Sequence, residues 1–215
     1  MKMIKLTEKR DDDPSPVKLI LTLGVAGLLS GLAIVGIYEA TLPTITAYKA
    51  KVLREAVFKV LPGTTRIEKL HYADGCLQAS TSEQDDSIYA GYDSKEALVG
   101  YAITAEGPGF QDIIGLLYGY LPDKRVIVGM EVLESRETPG LGDKIYKDAD
   151  FIANFLELAV DPTIVMVKKG RKSAPNEVDA ISGATISSKA VVRIINESNE
   201  KWLEKLSINC EPLSK

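Results

Sequence analysis

The chain has 215 residues, 45% of them apolar and 26% charged, with 26 Lys and Arg against 30 Asp and Glu. That composition is too apolar for a disordered chain and too charged for a membrane protein of many spans. The slightly acidic balance, with no basic stripe carrying interleaved aromatics, argues against nucleic-acid binding, and Cys76, Cys210 and the single His71 are too few for a zinc or iron–sulfur centre of the chain's own.

From Leu19 to Tyr38 there are twenty residues without a charge. At about 1.5 Å per residue they cross roughly 30 Å, one bilayer of hydrocarbon. The run predicts a transmembrane helix, and Gly24, Gly27 and Gly31 would let another helix approach closely. It is longer than the apolar region of a cleavable signal peptide, and the residues after Tyr38 make a poor cleavage site, so the span reads as an uncleaved anchor. Five basic residues precede it (Lys2, Lys5, Lys9, Arg10, Lys18), and three lie in the twenty residues that follow (Lys49, Lys51, Arg54). This bias predicts a cytoplasmic segment 1–18, a span 19–38 and an extracytoplasmic domain 39–215.

The domain, with 21 basic and 26 acidic side chains, is of a size for a single core. Thr41–Leu61 reads as a helix stopped by Pro62-Gly63. Strand patterns follow at 66–72, 88–92, 97–105, 113–120 and 125–133, the last alternating cleanly at Val126, Val128, Met130 and Val132. Residues 121–124 are turn formers, which predicts a hairpin. The segment 78–87 reads as a loop, 148–158 as a helix, 163–168 as a strand, and 187–206 as an amphipathic helix with Val191, Ile195, Trp202 and Leu206 on its apolar side. The class is α+β, an antiparallel sheet with helices packed to one side.

Gly107-Pro108-Gly109 and Gly140-Leu141-Gly142 lack the third glycine of a dinucleotide loop. No phosphate-binding P-loop, HExxH or CxxC motif occurs, and His71, with no nucleophile nearby, reads as a strand-end surface residue. Two stretches stand out. Asp179-Ala180-Ile181-Ser182-Gly183-Ala184-Thr185 precedes the last helix, where small residues permit a tight turn and the helix start presents unpaired N–H groups that attract an anion. Lys189, ill-placed for the helix dipole, would suit a negative ligand there. Glu137-Thr138-Pro139-Gly140-Leu141-Gly142 is rich in turn formers yet carries an acid and a Leu. Taken singly, the first is a capping turn with Thr185 or Ser187 as N-cap, and the second a surface loop.

Together, the anchor and the two stretches resemble the FMN-binding domain family, and within it the G subunits of Rnf electron-transport complexes; Gly107-Pro108-Gly109-Phe110 falls where that family has a glycine–aromatic turn. The resemblance implies FMN esterified through its phosphate to Thr185, with Ser182, Gly183 and Ala184 in the attachment turn and Asp179 recognised by a flavin transferase. It implies Glu137, Thr138, Leu141 and Gly142 against the flavin, and Lys189 beside its phosphate. The implied activity is electron relay inside a bacterial inner-membrane complex. That complex moves electrons between ferredoxin and NAD⁺, coupled to Na⁺ or H⁺ transport, with the domain on the periplasmic side and no turnover by the subunit alone. The alternatives are the C subunit of a sodium-translocating NADH:quinone oxidoreductase, a non-enzymatic flavin-binding sensor or assembly module, and an anchored scaffold without cofactor. Cys76 and Cys210 read equally as a bridge or as two separate thiols.

Overall fold

The computed structural model describes residues 15–73, 75–80 and 87–206, and the chain divides into two compact units, Met1–Ala50 and Lys51–Lys215. A single helix, α1, runs from Pro16 to Val60. Up to Ala50 its large apolar side chains, among them Leu19, Leu23, Leu28, Ile34 and Ile37, are exposed. Such a helix has no core of its own to face, and it is long and apolar enough to cross a membrane. The helix predicted over Thr41–Leu61 continues from the anchor, as expected, and Pro43 lies inside it.

In the second unit the strands are β1 (Arg66–Ala73), β2 (Cys76–Ala79), β3 (Ser87–Tyr92), β4 (Leu98–Pro108), β5 (Ile113–Leu121), β6 (Val126–Ser135) and β7 (Leu158–Ala159). They form one antiparallel sheet in the order β2-β1-β3-β4-β5-β6-β7. The predicted hairpin joins β5 to β6, with Arg125 N donating to Pro122 O. After β6 come α2 (Lys144–Lys147) and α3 (Ala149–Ala153), then β8 (Val165–Val167) and β9 (Glu177–Asp179), which pair in parallel as a separate small sheet, and finally α4 (Thr185–Leu206).

Side-chain alternation gives the large sheet two covered faces. One row of cross-strand partners, Ile88, Ile103, Tyr118 and Met130, joins the main core with Val191, Ile194, Ile195 and Trp202 of α4. The neighbouring row, Ala102, Gly119 and Gly129, belongs to the opposite face and receives Ala56, Val57, Val60 and Leu61 from the end of α1. A Cβ on Gly119 would stand 2.2 Å from Val60 O, so glycine there is what lets the helix end lie directly on the sheet. Helices therefore cover both faces, which corrects the one-sided packing expected from the sequence.

Other differences have local causes. The single helix expected over 148–158 is broken: the Asp148 carboxylate accepts from Phe151 N and starts α3, while the Asn154 amide donates to Asp150 O and Phe151 O at its end. Leu158–Ala159 then turns to pair with Val126 and Ile127 of β6. β2 lies where the sequence reads as the start of a loop, and β9 was not foreseen. His71 is half-buried within β1, its Nδ1 buried with no partner among the described residues, so it is not a surface histidine. Cys76 on β2 is disulfide-bonded; Cys210, the chain's other cysteine, lies outside the described residues.

Candidate functional site

The antiparallel pairing brings three loops to one end of the large sheet. Pro108 pairs with Ile113, and Ile114 with Ser135, so the β4–β5 turn (107–112) and the segment leaving β6 (136–143) are neighbours. The third loop is the 181–184 turn that starts α4.

Glu137 ties the first two loops to the first turn of α4. It is only 5% exposed. Its Oε1 accepts from Phe110 N at 2.8 Å and Gln111 N at 3.0 Å, and its Oε2 accepts from Ser187 Oγ at 2.6 Å. Burial alone would push this carboxyl up; the Ser187 hydroxyl and the backbone N–H groups of Gln111, Phe110 and Asp112 outweigh it and hold the group below its ordinary value. Space around the carboxylate is filled: a Cβ on Gly109 would stand 2.4 Å from Oε1, and one on Gly142 2.5 Å from Oε2. Glycine at both positions is therefore a requirement of close approach.

Thr138, Pro139, Gly140 and Leu141 form a turn closed by Leu141 N donating to Thr138 O, with Gly140 at φ +78°. Proline second and a left-handed glycine third are the signature of a type II turn. Thr138 Oγ1 hydrogen-bonds Gln111 Oε1 at 2.8 Å, a second tie to the β4–β5 turn. Arg193 supplies a third, donating from Nη2 to Pro108 O.

The 181–184 turn is of the same kind. Ala184 N donates to Ile181 O, and Gly183 takes φ +82°. Thr185 is the first residue of α4 and is exposed, as are Ser182 and Gly183, while Ala184 is buried. Neither expected cap acts as one: Ser187 donates to Glu137, and it is Ser188 Oγ that accepts from Ile181 N. Thr185, Lys189 and Arg193, four residues apart, share one exposed helix face. Asp179 lies on β9 with its Oδ1 accepting from Arg171 N and Lys172 N, so its carboxylate holds the β8–β9 loop.

Around this polar centre three large apolar side chains stand exposed: Phe110 at 64%, Leu141 at 51% and Ile186 at 59%. An apolar rim, a hydroxyl at a helix N-terminus and cations one and two turns further along suit a ligand with a flat aromatic body and an anionic tail. Ser187, Gln111 and Arg193 are site residues that the motif reading did not single out for these contacts. Arg193 alone had a signal, its i+8 spacing from Thr185.

A family model for the FMN-binding domain matches residues 109–200, which include Phe110, Gln111 and the other two loops. The chain is 32% identical over 193 residues to the G subunit of the ion-translocating oxidoreductase complex of Methanosarcina acetivorans, covering 87% of this chain and 94% of that one. It is 28% identical to the G subunit of the proton-translocating ferredoxin:NAD(+) oxidoreductase complex of Clostridium ljungdahlii, covering 90% and 95%. Among solved structures, the C subunit of the Na(+)-translocating NADH-quinone reductase of Parabacteroides distasonis has a similar fold, with a TM-score of 0.54 at 21% identity over 68% of this chain and 80% of that one.

Proposed function

The chain belongs to the family of G subunits of ion-translocating oxidoreductase complexes, and we propose that in such a complex, of the ferredoxin:NAD⁺ type, it is the flavoprotein subunit that relays electrons. FMN, the group named by the matching domain family, supplies the electron-accepting and electron-donating chemistry when bound. What the chain's own residues contribute is position. The exposed Thr185 hydroxyl is the attachment point, Ser182–Ala184 shape the turn that presents it, and Gly183 leaves open space beside it. The N-terminus of α4 and Lys189 would attract the phosphate, an interaction worth about 0.3–1 kcal/mol in an exposed setting. It orients the tail without holding the cofactor, and the ester does the holding. Phe110, Leu141 and Ile186 are exposed and would offer the ring an apolar surface. Glu137, Thr138 and Gly142 set the loop that carries Leu141.

The observation that carries this reading is the junction on Glu137, where two segments, one 26–27 and the other 50 residues distant in sequence, meet at the start of α4. A tether also makes sense away from the cytoplasm: a flavin lost there is diluted, whereas a tethered one keeps a millimolar effective concentration at its site. The apolar helix anchors the chain, with residues 1–18 cytoplasmic and the domain on the periplasmic side. Its partners are the other membrane subunits of the complex, and a flavin transferase during maturation. Replacing Thr185 by Val is expected to abolish the flavin fluorescence that remains with the denatured chain in a gel. Undiminished fluorescence in that variant removes Thr185 as the attachment residue.

A further inference from the structure

Cys76 is one of the chain's two cysteines, and it is disulfide-bonded. It is half-buried on β2, the outermost strand of the large sheet, whose one neighbour among the described strands is β1. An open strand edge is a template on which other chains can pair, and folds keep such edges short, or cover or pin them. β2 has only four residues, and two of them, Gln78 and Ala79, are exposed. Cys76 is the only cysteine among the described residues, so the second sulfur comes from beyond them.

The end of α4 lies beside this strand. Leu206, the last residue of the helix, is buried in the main core, and Leu77, next to Cys76, packs against that core together with Tyr72 of β1. Lys205 Nζ stands 4.9 Å from the centroid of the Tyr72 ring. Tyr72 pairs with Leu77, and Ala73 with Cys76, so the last turn of α4 and the cysteine occupy one corner of the domain. Cys210 follows Leu206 by four residues, a length of chain that extends to about 13 Å. A disulfide holds its two Cα atoms about 4.4–6.8 Å apart. Tether and bridge together therefore reach from the Tyr72–Leu77 pair, which α4 already touches, to Cys76.

We propose that Cys76 and Cys210 form one intrachain bridge, which pins segment 207–215 beside the open edge of β2 and fixes the C-terminal end of α4, and that the bridge is made where the domain meets an oxidising compartment. The compartment rests on the orientation proposed above; the pairing does not. The bond forms by exchange with a protein or small molecule that carries a disulfide. Two cysteine S–H bonds and the oxidant's S–S bond break, and the Cys76–Cys210 S–S bond forms. The two electrons and two protons end on the oxidant as a dithiol. At its other end α4 is already tied down, by Ser187 on Glu137 and by Ser188 on Ile181. The bridge gives the same helix a covalent stop at its far end, and because the loop it closes runs from 76 to 210 it stabilises mainly by restricting the unfolded chain.

The test counts thiols in the full chain, first in membranes from cells and then in detergent. With a maleimide polymer that adds mass at each free thiol, unfolded wild type from membranes is expected to take no tag before reduction and two after it. Cys76→Ser and Cys210→Ser are each expected to take one tag without reduction. Thermal unfolding in detergent is followed by Trp202, buried on α4 near its end. The midpoint is expected about 10 °C lower in either variant and in reduced wild type. The double variant should lose no more than either single one, and reductant should shift none of the three. Two tags on unreduced wild type that oxidised glutathione does not remove overturn the bridge, as does a reductant-driven shift that persists in Cys210→Ser. A reductant-sensitive dimer on a gel also overturns it, by giving Cys76 its partner in a second chain. Two tags in membranes that oxidised glutathione does remove, with the midpoint then rising, uphold the pairing and overturn the oxidising compartment.

Discussion

Removing the carboxylate at position 137 is the most informative perturbation of the site. Glu137→Ala leaves Phe110 N, Gln111 N and Ser187 Oγ without their acceptor. Hydrogen bonds to a charged group contribute roughly 1.5–3 kcal/mol each. The two N–H groups are part-buried and regain some water, so the expected loss is about 3–4 kcal/mol rather than the full sum. At roughly 2–4 °C per kcal/mol for a domain of this size, the midpoint falls by about 10 °C. Glu137→Gln should cost only about 1 kcal/mol, because the amide oxygen keeps the two N–H groups and the Ser187 hydroxyl can accept from the amide nitrogen. Urea unfolding followed by the fluorescence of Trp202, the chain's one tryptophan and buried on α4, reports both values. The pH dependence separates charge from shape. The folded carboxyl lies below its ordinary value of 4.5. Its stabilisation is therefore complete above about pH 4.5 and is lost as the pH falls through the depressed folded value. The gap between wild type and Glu137→Gln should narrow over that acid range. An Ala variant within about 0.5 kcal/mol of wild type, or a gap that does not narrow on acidification, refutes the account of Glu137 as the junction of the two loops with α4.

Gly119→Ala should destabilise by about 3 kcal/mol or more, since its Cβ meets the Val60 carbonyl, a backbone atom that cannot rotate aside; Gly183→Ala, with open space but φ +82°, should cost only roughly 1–2 kcal/mol of backbone strain, and urea titration of both ranks them. Tyr118 Oη lies 2.9 Å from Ser198 Oγ and from Asn199 Oδ1, and burial pushes the phenol up despite the Ser198 hydrogen bond. Tyr118→Phe should therefore lose about 1–2 kcal/mol in the same assay by stranding the two polar groups. A reporter that is inactive in the periplasm, fused to the C-terminus, should stay silent in cells; strong signal reverses the proposed orientation.

The parts of this fold legible in the sequence are those written in local chemistry. A run of twenty uncharged residues announces α1, and the alternation from Val126 to Val132 with a turn of Pro122, Asp123 and Lys124 announces the β5–β6 hairpin. β2 and β9 carry no such signal. Cys-Leu-Gln-Ala is too short to alternate, and Glu-Val-Asp becomes a strand only through a parallel pairing with β8 across the loop between them. Helix 148–158 failed because Asp148 and Asn154 satisfy backbone groups with their side chains, a competition that apolar spacing does not register. At the site, both turns were readable from Thr-Pro-Gly-Leu and Ser-Gly-Ala-Thr. The direction of the Glu137 side chain was not, since its acceptors serve donors contributed by the β4–β5 turn and by α4.

That inward direction bears on the order of events in maturation. The junction on Glu137 is made from the chain's own groups, Phe110 N, Gln111 N and Ser187 Oγ. Thr185, by contrast, is exposed at the first position of α4, and its side chain makes no hydrogen bond among the described residues. A hydroxyl with no hydrogen bond among the described residues can be esterified without disturbing what surrounds it. Thr185→Val should accordingly unfold within about 0.5 kcal/mol of the unmodified wild-type chain, the range of a surface substitution that breaks no buried contact. A much larger loss would mean that the threonine is part of the fold's support, and a residue with that duty is a poor place to add a phosphodiester after folding.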